Sequence, residues 1–162
     1  MTAPPDTSAA SSGATPGEGT SGDSQDGVIT IEVGPCYGPC AVYSLTFRAT
    51  GDVEYEGNAY VGVHGRQTTR INPEQFSSLI KMLDAARFEQ MTWQHNCPDK
   101  FTTDHSTIRT SVSRSGRTHT VEHNLGDGCA PQTLVDLEKA ILAAPGPAVR
   151  GWTRCDASFC PP

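Results

Sequence analysis

Short segments in which apolar and polar residues alternate are the feature that most constrains the fold of this chain. Residues 28–33 read VITIEV, residues 41–49 read AVYSLTFRA and residues 52–57 read DVEYEG. A period of two is typical of β-strands that bury one face and expose the other. The turn ATGD joins the second and third of these segments, so the sequence predicts a β-hairpin there.

Two further strand pairs are predicted downstream. The segments YVGV and RQTTRI flank His64-Gly65, and the stretch HSTIRTSVSRSGRTHTVEH is divided by Ser115-Gly116. Gly-containing dipeptides between alternating segments favour tight hairpin turns. In the second pair, the period places Ile108, Val112 and Val121 on the inward face.

Two segments have the spacing of amphipathic helices. The first begins at Asn72-Pro73, which combines a capping side chain with a proline at the first helical position, and is predicted over residues 73–86. The second begins at Pro131 and ends at APGP. The predicted core residues are Phe76, Leu79, Ile80 and Leu83 in the first, and Leu134, Leu137 and Ile141 in the second. Strands and helices are segregated along the chain, which predicts an α+β fold: an antiparallel sheet of two to three hairpins with both helices packed on one face.

The composition divides the 162 residues into a tail and one domain. Residues 1–27 contain Ser, Thr, Gly, Ala, Pro and acidic residues, with no aliphatic side chain larger than Ala after Met1, so they are predicted to be a disordered tether. Residues 28–152 form the predicted α+β domain, and residues 153–162 a C-terminal extension with a local disulfide. An accidental leader of a cytosolic protein is the alternative explanation of the tail.

Charge and hydropathy limit the partners. The formal net charge is -6 and the Lys and Arg residues are scattered, which argues against nucleic acid as a partner. No apolar run reaches the roughly 18 residues that a membrane-spanning helix needs, and no signal peptide begins the sequence. We expect a monomer without a cofactor, and the sequence identifies no partner.

The six cysteines are an even number, and each is close in sequence to Gly, Pro, Asn or Asp. Such a framework is typical of proteins that fold in an oxidising compartment, so we expect a location outside the cytoplasm, with a signal peptide or lipid-carrying Cys lying outside this sequence. Six cysteines allow 15 pairings. Local geometry favours Cys36–Cys40 and Cys155–Cys160, which leaves Cys97–Cys129. This last bridge closes the longest loop, and loop-closure entropy predicts that it stabilises the fold the most.

The sequence CYGPC at residues 36–40 has two interpretations. A thioredoxin-type redox site has two residues between its cysteines and places the first at a helix N-terminus, whose dipole stabilises the thiolate. Here three residues intervene, and a strand pattern follows Cys40. The sequence therefore favours a structural disulfide, with a small thiol-disulfide oxidoreductase that uses Cys36 and Cys40 as the alternative.

No other pattern indicates a catalytic or metal site. His119 and His123 are four residues apart, a separation of roughly 13 Å on a strand, too far to bind one metal ion together. Asp104-His105-Ser106 contains the residue types of a triad, but neighbours on a strand point to opposite faces. The loop acids Asp99, Asp104 and Asp127 are expected to be solvated, and the aromatic residues Trp93, Trp152 and Phe159 are expected to cover the core.

These segments together are similar to a bacterial family of uncharacterised domains. The resemblance rests on CYGPCAVYSLTF, GDVEYEG, VGVHGRQTTRI, the helix with Leu79 and Phe88, and the late GW, and it spans about residues 28–152. Members of that family open with Cys-x-Gly-x-Cys-Pro-x-Tyr, and this chain has Ala41 in place of the proline. The resemblance implies a small exported or lipoprotein-borne α+β domain. It brings no catalytic residues to this chain, and a non-catalytic binding or structural module is the function that we expect.

Overall fold

A six-stranded antiparallel sheet with three helices forms the fold of the computed structural model, which describes residues 27–93 and 98–154. The strands are β1 (Gly27–Val33), β2 (Val42–Arg48), β3 (Asp52–Ala59), β4 (Gly65–Arg70), β5 (Thr107–Arg114) and β6 (Arg117–Asn124). The helices are α1 (Pro73–Ala85), α2 (Gln132–Ala143) and α3 (Pro147–Thr153). The sheet order is β4-β3-β2-β1-β5-β6, which confirms the predicted α+β class.

The predicted alternation sets the register at the centre of the sheet. Ile29 lies between Phe47 and Val112, and all three side chains are buried. The next residue along β1, Thr30, lies between Thr46 and Ser111 on the opposite, partly exposed face. One face of the sheet is therefore apolar and covered, and the other is polar, as is common in antiparallel sheets.

Helix α1 begins at the predicted capping residue. The Asn72 side chain accepts a hydrogen bond from the Glu74 backbone N–H at 2.9 Å, and the Gln75 side chain accepts one from the Asn72 backbone N–H at 2.9 Å. Each bond satisfies a backbone donor that a helix end otherwise leaves unpaired. The capping box therefore fixes where α1 begins.

Helices α1 and α2 bury their apolar stripes against the inner face of the sheet, as predicted. The buried residues include Phe76, Leu79 and Leu83 on α1 and Leu134, Leu137 and Ile141 on α2. Ile80 is partly buried and packs against the same core. None of the helices in the described ranges is long and apolar enough to cross a membrane.

The predicted strand pair around His64-Gly65 is wrong in its first half. RQTTR does form a strand, β4, but its partner is β3, whose Tyr55 lies opposite Gln67. Tyr60 has a φ of 52°, which takes the chain out of the extended conformation at the start of YVGV. The segment becomes a connection, and Val61 within it is buried as a core residue.

A third helix, α3, was not predicted, because Gly146 and Pro147 look like the end of a helical region. Val149 is buried, and the Trp152 ring lies 5.3 Å from the Tyr55 ring, so Trp152 packs against the core as expected. The Trp152 carbonyl accepts a hydrogen bond from the Val63 N–H at 3.0 Å. Gly62 permits this approach, because a Cβ there would overlap the Arg154 carbonyl.

The ends of the predicted domain shift slightly. Gly27, the last residue of the predicted tail, is the first residue of β1, and Thr153, the first residue of the predicted extension, is the last residue of α3. The rest of the predicted tail and most of the extension lie outside the described residues. Their assignment stays a prediction.

Candidate functional site

The connection between β1 and β2 is closed by a disulfide between Cys36 and Cys40, whose Cα atoms are 5.7 Å apart. Within it, the Gly38 N–H donates to the Cys36 carbonyl at 3.0 Å, and the Cys40 N–H donates to the Gly38 carbonyl at 2.9 Å. Gly38 has a φ of 147°, which side-chain-bearing residues rarely adopt. The covalent bond and these hydrogen bonds fix a loop of residues 34–41, which we call the disulfide loop.

The position of this disulfide in the described part of the chain differs from that of a redox-active dithiol. Neither cysteine lies at a helix N-terminus, since β1 ends at Val33 and β2 begins at Val42. The sequence has no charged residue between Glu32 and Arg48. A reactive thiolate normally depends on a helix dipole or a nearby cation. The disulfide closes the loop that connects two central strands of the sheet, β1 and β2.

The disulfide loop presents one large side chain to solvent. Tyr37 is 89% exposed, and Pro35 and Pro39 beside it are exposed as well. The Tyr37 N–H donates to the Asp104 carbonyl at 3.3 Å, and the Gly34 N–H donates to the Thr107 carbonyl at 2.8 Å. The tip is therefore tied to the segment that leads into β5.

The segment leading into β5 is also tied to the loop that follows β6. The Leu125 N–H donates to the Ser106 carbonyl at 2.9 Å, and the Thr102 N–H donates to the Gly126 carbonyl at 3.0 Å. Leu125 is 48% exposed. The disulfide loop, residues 101–106 and residues 124–128 thus form one hydrogen-bonded group at one end of the sheet, which we call the loop end.

The other predicted cysteine pairs are only partly within the described residues. Cys129 is disulfide-bonded, and its N–H donates to the Asp127 carboxylate at 3.0 Å. Cys97, Cys155 and Cys160 lie outside the described residues. The pairings Cys97–Cys129 and Cys155–Cys160 therefore stay predictions.

The other residues that the sequence analysis considered for a catalytic or metal site differ in their exposure to solvent. Asp99, Asp104 and His105 are exposed, whereas Ser106 is buried. Asp127 is buried, which differs from the expectation that the loop acids are solvated, because its carboxylate faces the backbone of its own turn and accepts from Cys129. Phe159 lies outside the described residues.

A cleft of about 690 Å³ lies where the β5–β6 hairpin meets the end of α1. Arg114 lines it and pairs with Asp84 at 2.8 Å and with Glu89 at 3.3 Å. His119 also lines it, with Nε2 2.8 Å from the Met91 carbonyl, which can only accept, so Nε2 carries the hydrogen. The Arg114 guanidinium is already paired with two carboxylates, whereas Arg117, which also lines the cleft, is exposed.

A buried polar pair, missed from the sequence, joins β6 to α2. His123 Nδ1 lies 2.8 Å from Glu138 Oε2, and each side chain is 2% exposed. No hydrogen-bond partner is found for His123 Nε2 or Glu138 Oε1 among the described residues. Two features of the sequence place these residues on buried faces. His123 lies two residues after the inward Val121, and Glu138 lies four residues after Leu134 on the apolar face of α2.

Tyr55 of β3 contacts α3 through the ring of Trp152, which lies 5.3 Å from its own. Its hydroxyl donates to the Val63 carbonyl at 2.9 Å. Burial, with smaller contributions from Tyr43 and Glu56, raises the pKa of Tyr55 to about 12. The hydroxyl therefore keeps its proton at neutral pH and remains a donor. This role is structural, because Tyr55 is fully buried.

Comparison with known proteins identifies a family for most of the chain. The family described as a domain of unknown function (DUF6438) matches residues 27–145, from the first residue of β1 to just after α2. No curated protein matches the chain. Because the match covers most of the sequence, and all six strands with α1 and α2, the chain belongs to the DUF6438 family of domains of unknown function.

Proposed function

We propose that this protein is a non-catalytic binding or structural module that works outside the cytoplasm, as part of a bacterial exported protein or lipoprotein. The observation that carries the proposal is the Cys36–Cys40 disulfide in the loop that connects β1 and β2. Disulfides persist in oxidising compartments and are rare in reducing cytosol.

The number of cysteines supports the same location. The sequence has six, and the described ones, Cys36, Cys40 and Cys129, are all disulfide-bonded. A catalytic dithiol needs only two cysteines and alternates between reduced and oxidised forms. An even set held in bridges is instead typical of a framework that stabilises a small domain.

The alternative function is that of a small thiol-disulfide oxidoreductase that uses Cys36 and Cys40. The observation in its favour is their short spacing in an exposed loop, which leaves the bridge open to an attacking thiol. The position of both cysteines between β1 and β2 argues against it, because a reactive thiolate normally depends on a helix N-terminus or a nearby cation.

The location can be tested on the native full-length protein in its source cells. Cells are fractionated, and free thiols are trapped at once with a maleimide that adds mass to each reduced cysteine. We expect the protein in the extracytoplasmic fraction with no mass added before reduction, and with all six cysteines labelled after denaturation and reduction. Recovery from the cytosol with reduced thiols would overturn the proposal.

A further inference from the structure

The exposed apolar residues are unevenly distributed. Among the described residues, the exposed large hydrophobic side chains are Tyr37, Met82, Phe101 and Leu125. All except Met82 belong to the loop end. Single exposed apolar side chains are normal on protein surfaces, whereas three of them on hydrogen-bonded loops at one end of the sheet favour an interaction site.

We propose that the loop end is a docking surface for another protein, with Tyr37 as the anchor that enters an apolar pocket on the partner. This inference rests on the proposed binding function and adds to it the surface and the kind of partner. Aromatic side chains that enter pockets carry much of the binding energy in protein interfaces, and Tyr is among the most common of them.

The disulfide loop holds Tyr37 ready to bind. The bridge, the two hydrogen bonds inside the loop and the bond from the Tyr37 N–H to Asp104 restrict the backbone before any partner arrives. Binding then has little backbone to order, and a Tyr side chain has only two torsions to fix. This arrangement explains why a disulfide closes a loop that has an 89% exposed aromatic residue at its tip.

The surroundings of Tyr37 indicate the chemistry of the partner. Residues 33–47 carry no charge, and Pro35 and Pro39 extend the apolar surface on either side. Asp104 is the exposed charged residue of the loop end, and Asp99 and Lys100, of opposite sign, lie just before it. Because interfaces pair opposite charges, we expect a partner pocket that is apolar inside and carries a Lys or Arg at its rim, opposite Asp104.

The first test uses a photo-reactive phenylalanine analogue in the full-length protein in its source cells. It is placed at position 37 in one variant and at position 82 in the other, because Met82 is an exposed apolar residue away from the loop end. We expect a discrete cross-link to a protein from position 37 and none above background from position 82. Equal cross-linking from both positions, or products at position 37 that contain only lipid or polysaccharide, would overturn the proposal.

The second test measures the affinity of the purified cross-linked protein for full-length variants. Tyr37→Ala is expected to weaken binding by about 30-fold, the effect of a typical hot-spot residue. Leu125→Ser is expected to weaken it to a smaller extent, and Met82→Ala to leave it unchanged. Asp104→Asn is expected to slow association at low salt. Wild-type affinity in Tyr37→Ala would contradict the proposal.

The two proposals fail in different ways. Cytosolic recovery with reduced thiols contradicts the proposed function, whatever the affinity of Tyr37→Ala. Unchanged affinity in Tyr37→Ala contradicts the docking surface alone. Circular dichroism and thermal melting of Tyr37→Ala are expected to match the wild type, because a side chain that is 89% exposed contributes little to the core.

Discussion

Replacing Glu138 with Ala is expected to lower the free energy of unfolding by about 3–5 kcal/mol, because a buried imidazole nitrogen loses its hydrogen-bond partner and a cavity opens. Glu138 and His123 are each 2% exposed and meet at 2.8 Å. Without the carboxylate, His123 Nδ1 loses its partner in a site that solvent cannot reach. The loss adds to the cavity left by the shortened side chain. Chemical denaturation of the purified protein provides the measurement.

Three further variants separate the pair from a general effect on α2. Lys139→Ala, the exposed neighbour on the same helix, is expected to change stability by less than about 0.5 kcal/mol. Glu138→Gln keeps an oxygen that can accept from Nδ1–H and should lose less than Glu138→Ala. The double variant His123→Leu with Glu138→Met removes both polar groups, and we expect it to recover most of the loss. A loss below about 1 kcal/mol in Glu138→Ala would show that the pair is not an important contact.

Replacing Trp152 with Ala is expected to lower the free energy of unfolding by about 3 kcal/mol, at the lower end for an aromatic residue because Trp152 is only partly buried. Its ring packs 5.3 Å from Tyr55, and its carbonyl accepts from Val63. The substitution uncovers Tyr55, which is fully buried in the folded protein. Helix α3 lies beyond residue 145, where the family match ends, so the experiment asks whether this helix is an integral part of the fold.

The matched control is Arg150→Ala, an exposed position on α3, which we expect to be close to neutral. Thermal melting followed by circular dichroism shows the difference between the two variants. If Trp152→Ala had the melting temperature of the wild type, α3 would not be an integral part of the fold, and the contacts around Tyr55 would contribute little to stability.

The elements that the sequence predicted well are those with strong local rules. Alternation along β1, β2 and β3 holds because one face of each strand is buried, and the second hairpin forms where Ser115 and Gly116 both adopt positive φ. Helix α1 has its capping box within four residues, so its start depends on nothing distant. In each case the information lies within a few neighbouring residues.

The elements that the sequence did not predict depend on distant contacts. Helix α3 has seven residues, too few to be stable alone, and is held by Tyr55 and Val63, which lie far away in the chain. Tyr60 adopts a left-handed conformation that no local rule requires. His123 and Glu138 lie on predicted apolar faces, but their pairing appears only when β6 and α2 come together.

The candidate site was predictable in part for the same reason. The local bond between Cys36 and Cys40 follows from their spacing and from Gly38 between them, and it is present. The carbonyls that hold the disulfide loop in place belong to Asp104 and Thr107, which lie far from this loop in the sequence. A loop end assembled from three separate segments has no signature in any one of them.

The reduction potential of the Cys36–Cys40 bridge tests the central claim, that this disulfide is structural, most directly. The full-length protein is equilibrated in dithiol buffers of defined potential, and the redox state of this pair is read from a peptide map after thiol trapping. We predict a potential below about -300 mV, the range of structural disulfides. A value between about -120 and -270 mV, where the known oxidoreductases lie, would contradict the claim and favour the enzyme.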